Sequence, residues 1–293
     1  MSHKTVKELF ASDIHRRIEE VIKVDQADEQ IIKDELAEYV VTDSLRGHFI
    51  DILEQYRETP NKPHEGVGVW VSGFFGSGKS SFAKYLGLAL ENRSIVGDGV
   101  ATLFAQRTGD SRAQVLLQSI TEHVPTDAVI FDVSTDRGIR TGNQTITEIM
   151  YRLFLQSLGY ARDLDLSELE ITLEGEGGLD GFKKAYHKVF GKDWDTEKGK
   201  VAIAVQQASR VMHTLDPATY PTVDSWRESG LRRADITPGT LADRCKLLMG
   251  RRREGRSLVF VVDEVGQFVA RDIQKMLDLQ AVVQSLGRVG RGD

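Results

Sequence analysis

Gly73-Phe-Phe-Gly-Ser-Gly78-Lys79-Ser80 fills every position of the pattern G-x-x-x-x-G-K-[ST]. The stretch before it, Val67-Gly-Val-Trp-Val71, reads as a short buried strand. The stretch after it places Phe82, Leu86, Ala89 and Leu90 on one face of a helix. Strand, glycine-rich turn and helix form the setting that phosphate chemistry requires. Glycines let backbone N–H groups turn toward phosphate oxygens without a Cβ in the way. The helix start adds unpaired donors and the positive end of its dipole. The sequence therefore predicts a nucleotide-binding loop made by Gly73, Phe74, Phe75, Gly76, Ser77, Gly78, Lys79, Ser80 and Ser81. Lys79 is expected to meet the β- and γ-phosphates and to serve hydrolysis. Ser80 is expected on Mg2+, and Ser81 near the α-phosphate. The chain has no Asn-Lys-x-Asp run for reading guanine, so the expected cofactors are ATP and Mg2+.

A second element supports the first. Val259-Phe-Val-Val262 is a buried-strand pattern that delivers Asp263 and Glu264 to its end. In open α/β sheets, ligands sit at that carboxyl edge. Asp263 is expected to hold the metal, and Glu264 to polarise the attacking water. Transition-state charge also needs a cation. Candidates are Arg137, Arg140, Arg251, Arg252, Arg253, Arg288 and Arg291, each of which also reads as an ordinary surface arginine.

Working outward, residues 1–60 read as an N-terminal helical region. Ile14, Ile18, Val21 and Ile22 form one stripe; Ile32, Leu36, Tyr39 and Val40 another; Leu45, Phe49, Ile52, Leu53 and Tyr56 a third. Thr42 or Asp43 caps the last of these helices. Residues 61–293 read as one P-loop NTPase domain of AAA+-like α/β class, a parallel sheet flanked by helices. Its other strands are expected at 128–133 and 257–262. Ile146, Ile149, Met150, Leu153 and Phe154 mark a helix, and residues ~160–235 a largely helical insertion. Thr237-Pro238 starts a helix with Leu241, Cys245 and Leu248 inward. Ile273, Met276 and Leu277 belong to a final helix. In the AAA+ class, the strand after Asp-Glu lies between the other two motif strands and supplies a sensor. None follows here, so the domain is expected to be incomplete at its C-terminus, the front part of a longer ATPase.

Composition narrows the class. The formal net charge of −6 argues against nucleic-acid binding by the whole surface. The single cysteine, Cys245, excludes an intrachain disulfide and fits a reducing, cytoplasmic compartment. No apolar run reaches the ~18 residues of a membrane span. The seven histidines show no metal-ligand spacing. Arg251–Arg256 reads as a solvated helix end before it reads as a nucleic-acid contact. Trp70, Phe74 and Phe75 read as packing residues. A homo-oligomer is compatible with the sequence.

The run Val6-Lys-Glu-Leu-Phe-Ala-Ser-Asp-Ile14, with Ile18-Glu-Glu-Val-Ile-Lys-Val-Asp-Gln26, resembles the start of the BREX-system ATPases. These are the large BrxC/PglY-type proteins of bacterial phage-defence islands. Ser72-Gly-Phe-Phe-Gly-Ser-Gly-Lys-Ser80 and Phe260-Val-Val-Asp-Glu-Val-Gly-Gln-Phe268 are similar to theirs, including the paired phenylalanines. The resemblance implies an ATPase acting with other BREX proteins, a DNA methyltransferase among them, and associated with DNA indirectly. It assigns Gly73, Gly78, Lys79 and Ser80 to the nucleotide, and Asp263 and Glu264 to metal and hydrolysis. A nucleotide-gated scaffold with little hydrolysis and a DNA-associated AAA+ motor of another system are the alternatives.

Overall fold

The structure, a computed structural model, describes residues 23–134, 145–229, 236–270 and 272–290. The stripe Ile14–Ile22, the resemblance run Val6–Ile14, Arg137, Arg140 and Arg291 lie outside the described residues. So does most of the Ile18–Gln26 run.

The first described unit is helical. Helices α1 (Glu29–Glu38) and α2 (Asp43–Glu58) start at side-chain caps, Asp28 and Thr42. Each cap accepts a hydrogen bond from a backbone N–H that the helix itself leaves unpaired. Helix α3 (Lys79–Glu91) follows. Then come a hairpin of β1 (Ser94–Ile95) and β2 (Asp98–Gly99), and helices α4 (Val100–Thr108) and α5 (Ser111–His123). Phe49, Leu53, Phe82, Leu88, Phe104 and Ile120 share their core.

Strand β3 (Thr126–Asp132) pairs in parallel with β4 (Ser257–Asp263), in a register that sets Thr126 against Ser257 and Asp132 against Asp263. Between them in sequence run α6 (Ile146–Ser157), α7 (Leu164–Gly175), α8 (Leu179–Phe190), α9 (Trp194–Glu197), α10 (Val201–Leu215), α11 (Ser225–Glu228) and α12 (Pro238–Arg252). After β4 come α13 (Val265–Val269) and α14 (Ile273–Gly290). Alternate residues of the strand pair face opposite ways. Ile130 and Val259 pack toward α3, while Phe131, Leu258, Phe260 and Val262 pack with α6, α12 and α14. At the start of α6, the Thr147 hydroxyl donates to Asp278 of α14 at 2.6 Å.

Helices α7 to α11 enclose a core of their own, with Phe182, Tyr186, Trp194, Val211 and Trp226. Glu170 is a buried hub there. It accepts from the Trp194 indole N–H at 2.7 Å, the Lys198 ammonium at 3.0 Å and the Ala161 N–H at 2.6 Å. A polar seam joins α7 to α12. Arg244 pairs with Glu168 at 3.0 Å, and Arg252 with Glu174 at 2.7 Å. The Arg252 guanidinium also stacks 3.6 Å from the Tyr160 ring centroid. Farther down, Arg253 and Arg256 both pair with Asp127. The basic run is thus a set of tertiary ties.

The expected architecture is not the observed one. Of the described residues, 63% are helical and 7% are strand, in two two-stranded sheets. A parallel-sheet P-loop NTPase core flanked by helices is not formed. Val67–Val71 is the element that fails. It joins no ladder among the described residues, and its valines and Trp70 face solvent. A short apolar run becomes a strand only where a neighbouring strand receives its N–H and C=O groups. Here the segment lies along α14. Gly287 offers no side chain where the Glu65 carbonyl passes, and a Cβ there would meet that oxygen at 2.2 Å. Gly68 likewise abuts Val283. The ladder of β4 runs to β3 alone among the described residues, and all seven of its residues are partly exposed. No described helix is long and apolar enough to cross a membrane.

Candidate phosphate-binding site

The loop 73–78 leads straight into α3. Gly76 and Gly78 adopt φ of +77° and +85°, in the left-handed region that a Cβ disfavours. Gly73 stands where a Cβ would approach the Ser77 hydroxyl to 2.7 Å, so the loop closes tightly on itself. The Ser77 N–H donates to the Phe74 carbonyl at 3.2 Å. The first bond of α3 is Phe82 N–H to Gly78 carbonyl at 2.9 Å. The N–H groups of Lys79, Ser80 and Ser81 therefore have no acceptor among the described residues, as expected for a helix start without a side-chain cap.

Lys79 donates from Nζ to the Phe74 carbonyl at 2.9 Å. No carboxylate of the described residues pairs with it. A cation folded over its own loop with no counter-charge among the described residues suits an anion in that loop. Ser80 is half-buried, whereas Ser81 is buried. Phe74 and Phe75 are 90% and 103% exposed, and Trp70 is 65% exposed. The expectation that these three are packing residues is corrected: nothing in the described fold covers them.

The acidic pair ends β4. Glu264 takes φ of +57°, unusual for a residue with a Cβ. That turn lets its N–H donate to the Asp263 carboxylate at 2.9 Å. Gln267 donates to the Glu264 carboxylate at 2.5 Å. The structure brings Asp263 and Glu264 together and keeps the loop residues together. No hydrogen bond or ion pair links the two groups among the described residues. They share a neighbourhood through α3, whose Gly87 packs on Ile130 and Val261.

Two residues at this edge escaped the sequence reading. Asp132 ends β3 directly beside Asp263 and accepts from the Ser134 N–H at 2.7 Å. Its signal was an apolar strand ending in aspartate, as in the second motif. Gln267, three residues after Glu264 on a helical turn, was readable from spacing alone. Of the candidate arginines, Arg251 and Arg252 are tied to Glu174, Arg253 to Asp127, and Arg288 contacts Ser285 at 3.5 Å. The described residues contain no cluster of three His, Cys, Asp or Glu arranged to hold a metal. No protein-family model and no solved structure matches the chain.

Proposed function

We propose that the chain binds the phosphates of ATP in the loop Gly73–Ser80 and hydrolyses the nucleotide with Mg2+. The carrying observation is the pairing of an open helix start with Lys79, which meets no carboxylate among the described residues. The proposal rests on this loop and needs no complete parallel sheet. Gly73, Phe74, Phe75, Gly76, Ser77 and Gly78 supply backbone donors, and Lys79 the point charge. Ser80 and Asp263 offer a hydroxyl and a carboxylate, oxygen donors of the kind Mg2+ takes. The metal would neutralise phosphate charge, and Glu264 would orient water at the γ-phosphate. By resemblance, the work belongs to a BREX-type phage-defence assembly in the cytoplasm. Its partners would be other BREX proteins, including a DNA methyltransferase, with DNA reached indirectly.

One observation favours a second reading, a nucleotide-gated binding module with little hydrolysis. Glu264 is held by Gln267, away from any described contact with the loop. Phosphate release from Mg-ATP, measured beside nucleotide binding by calorimetry, separates the two. Hydrolysis predicts turnover that Lys79→Ala and Glu264→Gln each abolish. Binding without turnover supports the module. Absence of ATP binding overturns both.

A further inference from the structure

The thirteen residues Gly66–Gly78 carry no charged side chain. Val67, Val69, Trp70, Val71, Phe74 and Phe75 from this run are all exposed. The run begins along α14 and antiparallel to it, since Glu65 lies against Gly287 and Gly68 against Val283. Val283 and Gly287 stand seven and eleven positions after Met276, so all three share one side of the helix. Met276 is exposed, with Ile273 and Leu277 beside it. The extended run and the side of α14 that it lies along thus form an apolar face.

Its size decides what it is for. Large aromatic and aliphatic side chains at these exposures present roughly 1,000 Å2 of apolar surface. A monomer's largest patch is typically about 300–600 Å2. A stable two-body interface takes about 800 Å2 from each partner. We propose that this face joins two copies of the chain.

Charge selects a second copy over a charged partner. The chain carries a formal net charge of −6, so two copies repel except where the surface is uncharged. The run Gly66–Gly78 is such a place. It also has two parts: the Phe74–Phe75 tip, which is almost fully exposed, and a strip of the partly exposed Val69 and Trp70. Related by a twofold axis, each tip meets the other copy's strip, as an isologous contact requires. The inference does not depend on the nucleotide reading.

Sedimentation velocity on the full chain without nucleotide, over roughly 1–100 μM, tests it. The expected result is a monomer–dimer equilibrium in the wild type. Ile273→Glu with Leu277→Glu, and separately Trp70→Ser, should each shift the dissociation constant at least tenfold toward monomer. At concentrations where the wild type is monomeric their melting temperatures should stay unchanged, because all three positions are solvent-exposed. A wild type that remains monomeric throughout overturns the proposal. So do a dimer indifferent to both variants and open-ended aggregation with no dimer.

Discussion

Gly87 of α3 sits so close to Val261 of β4 that a Cβ on it would lie 2.7 Å from the valine Cγ2. Ile130 of β3 is nearly as near, at 3.1 Å. This contact seats α3, and with it the phosphate loop, on the strand pair.

Gly87→Ala therefore sets two effects against each other. Helix propensity alone favours alanine by about 1 kcal/mol. Overpacking against two β-branched side chains costs about 1–3 kcal/mol. Net destabilisation is expected, read as a lower urea midpoint. A more stable variant would show that the strand pair yields easily.

Lys84 is fully buried in α3 and pairs with Glu35 of α1 at 2.5 Å. Burial pulls its ammonium below its usual pKa range, and the Glu35 carboxylate opposes that pull. Removing one partner strands the other charge. Glu35→Leu alone is expected to cost about 3–5 kcal/mol. Lys84→Met added to it should restore most of the loss, which a double-mutant cycle in urea would measure. Additive losses would refute the coupling.

Burial raises the hydroxyl pKa of Tyr39 to about 12, and lifts Tyr56, Tyr85, Tyr151 and Tyr160 above their ordinary value as well. Tyr151 and Tyr160 also donate to Glu168 and Glu174, which holds their protons further. The unfolded chain loses these protons near pH 10, the folded chain at higher pH. Stability present below pH 10 is therefore lost as pH rises above it. Phenolate absorbance and helical circular dichroism should change together in an alkaline titration. Phenolates appearing in a chain that stays helical would contradict this burial.

The β1–β2 turn places Val96 at φ +46° and Gly97 at +85°. Two positive angles in sequence describe the tight hairpin turn that favours Asn-Gly. A β-branched residue is strained there. Val96→Asn should raise stability by about 0.5–1 kcal/mol, visible as a higher melting temperature. The Val96 N–H bond to Glu29 is made by backbone and survives the change.

Where a signal was local, sequence was enough. Thr42 and Thr237 cap the helices they were expected to cap, and Pro238 occupies the first turn of α12. Leu241, Cys245 and Leu248 face inward as their spacing demands. The apolar runs around Val129 and Phe260 are strands. The region of α4 and α5 drew no prediction, although Asp110 is a plain helix cap. What failed was non-local. Val67–Val71 carries three valines and an aromatic residue, as β4 does, and only the placement of another strand decides whether it pairs. The exposed side of Ile273, Met276 and Leu277 was equally hidden, because periodicity fixes that residues share a face and not what covers it. In the candidate site, the loop's glycine conformations were legible from the motif. The Gln267 contact with Glu264 follows from an i, i+3 spacing, whereas the placement of Asp132 beside Asp263 was set by the strand register.

The parallel register of β3 and β4 has a consequence for synthesis. Thr126 must wait for Ser257, roughly 130 residues later, before its ladder can close. At about 5–20 residues per second, that is a delay on the order of ten seconds on the ribosome. Helices α7 to α11, with their separate core, can complete themselves during that interval. Until its mate emerges, the first strand has α3 on one face and α6 on the other, which makes those two helices its chaperones in cis.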